Sequence, residues 1–136
     1  MSSKYLEDLL SLPVQTNMRL MPPKASPSDS VSSIVNIMVG ENIGAVVVVE
    51  GDRPVGIITE KDVLERVVRR RKDMEETRAE DIMSKPPISI EADRPMIDAL
   101  NLMRKNNIRR LPVTKDDKLV GLVTERRLLE VAFLVT

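Results

Sequence analysis

Between residues 56 and 62 the chain reads Gly-Ile-Ile-Thr-Glu-Lys-Asp, and three of these residue types suit one kind of chemistry. Gly56 has no Cβ, so a ligand can approach the backbone closely there. Thr59 and Asp62 stand three residues apart, on one side of a helix's first turn. A carboxylate so placed can accept hydrogen bonds from both vicinal hydroxyls of a ribose. The same letters have a purely structural reading. Thr followed three residues on by an acid is close to a capping box, and an acidic group near a helix N-terminus is worth about 0.3–1 kcal/mol with no ligand present. A second candidate is Arg109-Arg110, since adjacent guanidiniums suit bidentate recognition of a phosphate; pairing with Asp116 or Glu125 is the alternative. A third is the run Arg69-Arg70-Arg71-Lys72, read first as a solvated helix end and second as a basic contact surface.

Other chemistries lack their central groups. The 136 residues include no His, Cys or Trp, one Tyr (Tyr5) and one Phe (Phe133). Thiolate nucleophiles, His/Cys zinc sites and imidazole-based triads therefore have nothing to act with. Stacking of bases on aromatic platforms is equally excluded. Lys plus Arg and Asp plus Glu each number 21, so no net field attracts nucleic acid or an acidic membrane. Carboxylate or lysine acid/base catalysis and oxygen-ligated metal survive in principle, but no concentrated carboxylate cluster serves either. The expectation is a protein that is not an enzyme. The longest apolar runs, Ala45 to Val49 and Val131 to Val135, fall far short of the roughly 20 residues of a membrane-spanning helix. The N-terminal stretch has acids within its apolar part and no signal-peptide core, which points to a cytoplasmic protein.

The elements that must position these residues emerge from a repeat. Displaced by 65 residues, the chain matches itself without a gap: Asn36 falls on Asn101, Met38 on Met103, Asn42 on Asn107, Gly56 on Gly121, Thr59 on Thr124 and Leu64 on Leu129. Met18/Met83 and Pro22/Pro87 extend the register. Val31, Ile34, Val35 and Met38 mark one face of a helix, as do Met96, Ala99, Leu100 and Met103. Ser28 and Asp93 stand where N-caps are expected, and Gly40, or the Asn42 and Asn107 positions, suit the exits. Hairpins follow, Val46–Val49 with Val55–Ile58 and Leu111–Thr114 with Leu119–Val123, and then helices capped by Thr59 and Thr124. Extended stretches near Lys24–Ser26 and Ile88–Ile90 come before each first helix.

Each half thus reads β-α-β-β-α, an α/β chain of α+β type. A short N-terminal helix (residues 1–11) directs Tyr5, Leu6, Leu9 and Leu10 inward. The expected divisions are a first repeat over 12–73, a linker over 74–78 and a second repeat over 79–136.

Two hydrophobic hairpins ending in GxxT, each preceded by an amphipathic helix, with DIM at Asp81–Met83 and IRRLPV at Ile108–Val113, resemble a tandem pair of cystathionine-β-synthase (CBS) domains, a Bateman module. The resemblance covers about residues 12–136. It implies two CBS repeats packed with pseudo-twofold symmetry, a homodimer, and an adenosine-containing ligand (AMP, ADP, ATP or S-adenosylmethionine-like) in the inter-domain cleft that regulates a further protein, with no obligatory cofactor. It assigns the ribose contact to Asp62, polar contact to Thr59, and phosphate contact to Arg109 and Arg110, with Arg126 beside them. The base is expected against main chain near Lys24, Ala25, Ala45 and Val46. The second copy departs from the pattern: Arg127 stands in place of the Asp, and a guanidinium cannot accept from ribose hydroxyls. One good site per chain, carried mainly by the first repeat, is the expectation. A ligand-free scaffold is the alternative, and nucleic-acid binding a weaker third.

Overall fold

The computed structural model describes residues 3–134; the outermost residues of the expected N-terminal helix and second repeat lie outside them. In chain order the elements begin with α1 (Ser3–Leu10), a 3-10 turn (Val14–Asn17), β1 (Arg19–Leu20), β2 (Lys24–Ala25), α2 (Val31–Glu41), β3 (Ala45–Glu50) and β4 (Arg53–Thr59). Next comes α3 (Glu60–Val63), continued by a π-helical turn over Leu64–Val68. The rest are α4 (Ala79–Ile82), β5 (Ile90–Glu91), α5 (Met96–Asn106), β6 (Arg110–Lys115), β7 (Lys118–Thr124) and α6 (Glu125–Leu134).

The chain divides into two compact units, Pro22–Pro87 and a second made of the residues up to Met21 together with those from Ile88 onward. In Pro22–Pro87, β2 lies parallel to β3 and β3 antiparallel to β4. The β-branched run Val46–Val49 fits a pleated, covered strand. Val31, Ile34 and Met38 on α2 close over Val46, Val48 and Ile58, all buried. Each such side chain contributes roughly 1.5–3 kcal/mol. The cap of α2 is Ser30, whose Oγ accepts from Ser33 N at 3.1 Å, rather than Ser28. Asn42, at φ 51°, ends the helix in the left-handed region as its type favours. Gly40, the other candidate for the exit, lies instead inside α2, with nothing within 4 Å of an added Cβ. Gly40→Ala is therefore expected to raise stability by about 0.5–1 kcal/mol through helix propensity, measurable as an upward shift of the thermal midpoint.

Residues 74–78, expected as a linker, are built into this unit. Met74 O and Thr77 O accept from Ser32 N and Val31 N, Thr77 is buried, and Met74 packs on the core. The unit boundary falls instead between Pro87 and Ile88.

The other unit repeats the plan: β5 parallel to β6, and β6 antiparallel to β7, under α5 and α6. A β-bulge interrupts the hairpin between Val48 and Val49, and another between Val113 and Thr114, the same place 65 residues on. Met96, Ala99, Met103, Leu111, Val113 and Leu128 form the core. At the start of α5 the cap position belongs to Pro95, with no side-chain bond, not to Asp93. Residues 12–21, which the repeat register gives to the first copy, belong to this unit. Val14 N donates to Arg94 O, and β1 pairs antiparallel with β7. In α1, Leu6, Leu9 and Leu10 are half-buried as expected, whereas Tyr5 is exposed.

Candidate functional site

Antiparallel pairing sets Ala45, at the start of β3, opposite Thr59, at the end of β4, and Glu60 N donates to Gly44 O across the same end. The chain turns from strand to helix there, so Thr59 serves as N-cap. Asp62 N donates to Thr59 Oγ1 at 3.3 Å, while Asp62 Oδ2 accepts from Thr59 N at 2.9 Å and from Thr59 Oγ1 at 3.1 Å. The capping box anticipated from the sequence is thus formed. The other oxygen, Oδ1, accepts from Ser84 Oγ at 3.2 Å and lies 3.8 Å from Arg66 Nε. Asp62 is 8% exposed and still fully partnered.

Ser84 and Arg66 are the members of this network that the sequence reading missed. Ser84 exchanges backbone hydrogen bonds with Ile57, and Arg66 Nη1 donates to the carbonyls of Ile82 and Met83 at 2.9 and 3.1 Å. The segment 82–84 is thereby tied to α3. Arg66 was within reach of sequence reasoning, being four residues after Asp62 on one helix face. Ser84, 22 residues away, was not. In the second copy the positions of Asp62, Arg66 and Ser84 hold Arg127, Val131 and Arg19. Thr124 Oγ1 still caps its helix by accepting from Arg127 N at 3.1 Å, but no carboxylate answers it.

Gly56 has a different role from the one expected. A Cβ there would meet Met83 Cγ at 2.7 Å and Met83 Cβ at 3.0 Å, so the space its missing side chain leaves is filled by Met83 rather than left for a ligand. Gly121 stands in the same relation to Met18. Ala25, Ala45 and Val46 are buried, and Lys24 directs its ammonium to within 3.9 Å of Asp52 Oδ1 beside the hairpin turn. That turn is the far end of β4 from Thr59, about 20 Å away at strand rise, so the Lys24 ammonium does not join Thr59 and Asp62.

The arginines converge in their own unit. Arg109, Arg110 and Arg126, with Thr124 and Glu125, line a concavity of about 520 Å³. Glu125 N donates to Arg109 O, and Arg126 Nε pairs with Glu130 at 3.1 Å while its side chain stays 90% exposed. Among the described residues there is no cluster of three or more acidic side chains able to hold a metal ion, and no helix long and apolar enough to cross a membrane.

Comparison with known proteins places these features in a family. Residues 8–69 and 79–133 each match the CBS domain family. An uncharacterized protein of Methanopyrus kandleri is 44% identical over 108 residues, which is 78% of this chain; the chain spans 55% of that relative's length. Among solved structures, a CBS domain protein from Pyrobaculum aerophilum complexed with AMP superposes with a TM-score of 0.80 at 26% identity, over 90% of this chain and 99% of that one. The CBS domain pair of protein MJ0100, in complex with 5′-methylthioadenosine and S-adenosyl-L-methionine, superposes with a TM-score of 0.78 at 26% identity, over 91% and 98%.

Proposed function

The chain belongs to the CBS-domain family as a tandem pair, and from that premise we propose that it is a regulatory, non-catalytic module that binds an adenosine-containing ligand through the ribose-binding carboxylate of Asp62. The observation that carries this reading is the kind of donor now on that carboxylate. Two of its three hydrogen bonds come from hydroxyls, Thr59 Oγ1 and Ser84 Oγ. Ribose hydroxyls are donors of the same type, so a vicinal diol replaces them one for one and leaves no charge unsatisfied. The Thr59 N–H bond persists throughout and keeps the helix capped.

Exchange at Asp62 also supplies a means of response. Releasing Ser84 removes one of the ties between α3 and residues 82–84, so the bound and free states differ in a contact that a partner can sense. A ligand shifts such an equilibrium only by its differential affinity for the two arrangements. Relatives of the same fold that carry AMP, or 5′-methylthioadenosine with S-adenosyl-L-methionine, support the ligand class.

Arg109 and Arg110 are proposed as phosphate contacts, assisted by Arg126. Replacing both Arg109 and Arg110 with Ala is expected to weaken ATP binding about tenfold or more while leaving adenosine binding unchanged, since charge-assisted bonds to phosphate are worth about 1.5–3 kcal/mol each. Calorimetric titration of the two ligands makes the comparison; an equal loss for both would remove the arginines from the phosphate role. A homodimer is proposed for the assembly, supported by Val39, Leu64 and Val68, which α2 and the π-helical turn leave 77%, 60% and 56% exposed.

Mass spectrometry of small molecules released from freshly purified protein tests the reading first, with an adenosine compound expected. Protein that is empty and takes up none of AMP, ADP, ATP, S-adenosylmethionine or NAD would favour the scaffold alternative.

A further inference from the structure

The run Arg69-Arg70-Arg71-Lys72 takes no part in the ribose network, and we propose that it is a docking surface for a short acidic segment of a partner protein. All four residues are exposed, directly after the π-helical turn. Among the described residues none of the four has an ion pair or side-chain hydrogen bond. Two acids of this region have other partners: Asp73 Oδ1 accepts from Glu75 N and Glu76 N, holding its own turn, and Asp62 lies 3.8 Å from Arg66.

Completing the helix does not require this cluster. One cation near a helix C-terminus satisfies its dipole, and three more add mutual repulsion. The backbone makes the same point. Arg71 has φ 54°, a left-handed position that favours glycine, and its N–H closes onto Val68 O. An arginine kept there adds a charge at a place where glycine would fold more easily.

The surroundings select the partner. Glu65 stands on one side of the run and Asp73, Glu75 and Glu76 on the other, all exposed. A long uniform polyanion, such as a nucleic-acid backbone or an anionic membrane, would meet these acids as well as the cations. A short acidic stretch spans the four cations alone; four extended residues reach about 13 Å. The unit that carries the run, Pro22–Pro87, contains no aromatic residue and so offers nucleic acid no stacking surface of its own.

Fluorescence anisotropy with the full chain and a fluorescein-labelled hexaglutamate peptide tests this. Binding is expected at low salt, weaker as salt rises and absent for hexaglutamine. Arg70→Glu with Arg71→Glu is expected to weaken it roughly tenfold. Arg71→Gly supplies a variant that folds: it should raise the thermal midpoint while weakening the peptide about two- to threefold. No hexaglutamate binding at low salt, or unchanged affinity in both variants, overturns the proposal. So does tighter, variant-sensitive binding of a 20-nucleotide oligo-dT or of phosphatidylserine vesicles.

Discussion

Asp62→Ala is expected to weaken an adenosine ligand by a factor of about 100 or more, because two hydroxyl-to-carboxylate bonds, each worth about 1.5–3 kcal/mol, disappear together. It is expected to cost stability as well. Thr59 N, Thr59 Oγ1 and Ser84 Oγ all lose the acceptor they now share. Loss of a cap of this kind costs about 1–2 kcal/mol. The two effects separate in Asp62→Asn, which keeps one acceptor oxygen for Thr59 N but presents an amide to the second hydroxyl of a diol. It should retain most of the stability and lose most of the binding. Thermal melts and calorimetric titrations on the same preparations decide the matter: a folded Asp62→Asn protein with full affinity would reduce Asp62 to a cap.

The second large effect belongs to packing. Gly56→Ala is expected to destabilise the protein by about 1–3 kcal/mol, the range for an overpacked core. The added methyl would press on Met83, and the obstruction includes Met83 Cβ at 3.0 Å, an atom held close to its backbone that cannot swing aside. Met83→Ala in the Gly56→Ala background should cost less than the two single changes summed, since the cavity from one receives the methyl from the other. Gly121→Ala with Met18→Ala should behave in the same way. Urea unfolding of the single and double variants measures the coupling, and additive losses would show that glycine and methionine do not share the space.

Much of this was visible in the sequence because it rests on local periodicity repeated twice. The 65-residue register located both amphipathic helices, both hairpins and both threonine caps, and Asn42 and Asn107 stood where left-handed exits were needed. The signals that failed were long-range. Nothing in residues 12–21 said they would hydrogen-bond to Arg94 and β7 rather than to the copy they precede in register. The glycine at 56 called for a close approach without naming what approaches, and that turned out to be Met83, 27 residues on. For Asp62 the letters allowed ribose binding or capping. The structure forms the cap, and the ribose role now rests on which donors the carboxylate can exchange.

Paired calorimetric titrations into the wild-type protein test the central claim most directly: AMP, ATP and S-adenosylmethionine, each against its 2′-deoxy counterpart. If Asp62 receives the vicinal diol, at least one ribose compound binds saturably and its deoxy partner binds about tenfold or more weakly, the loss expected for one charge-assisted hydrogen bond. Equal affinity for the ribose and deoxyribose forms, or no saturable binding by any of them, would contradict it.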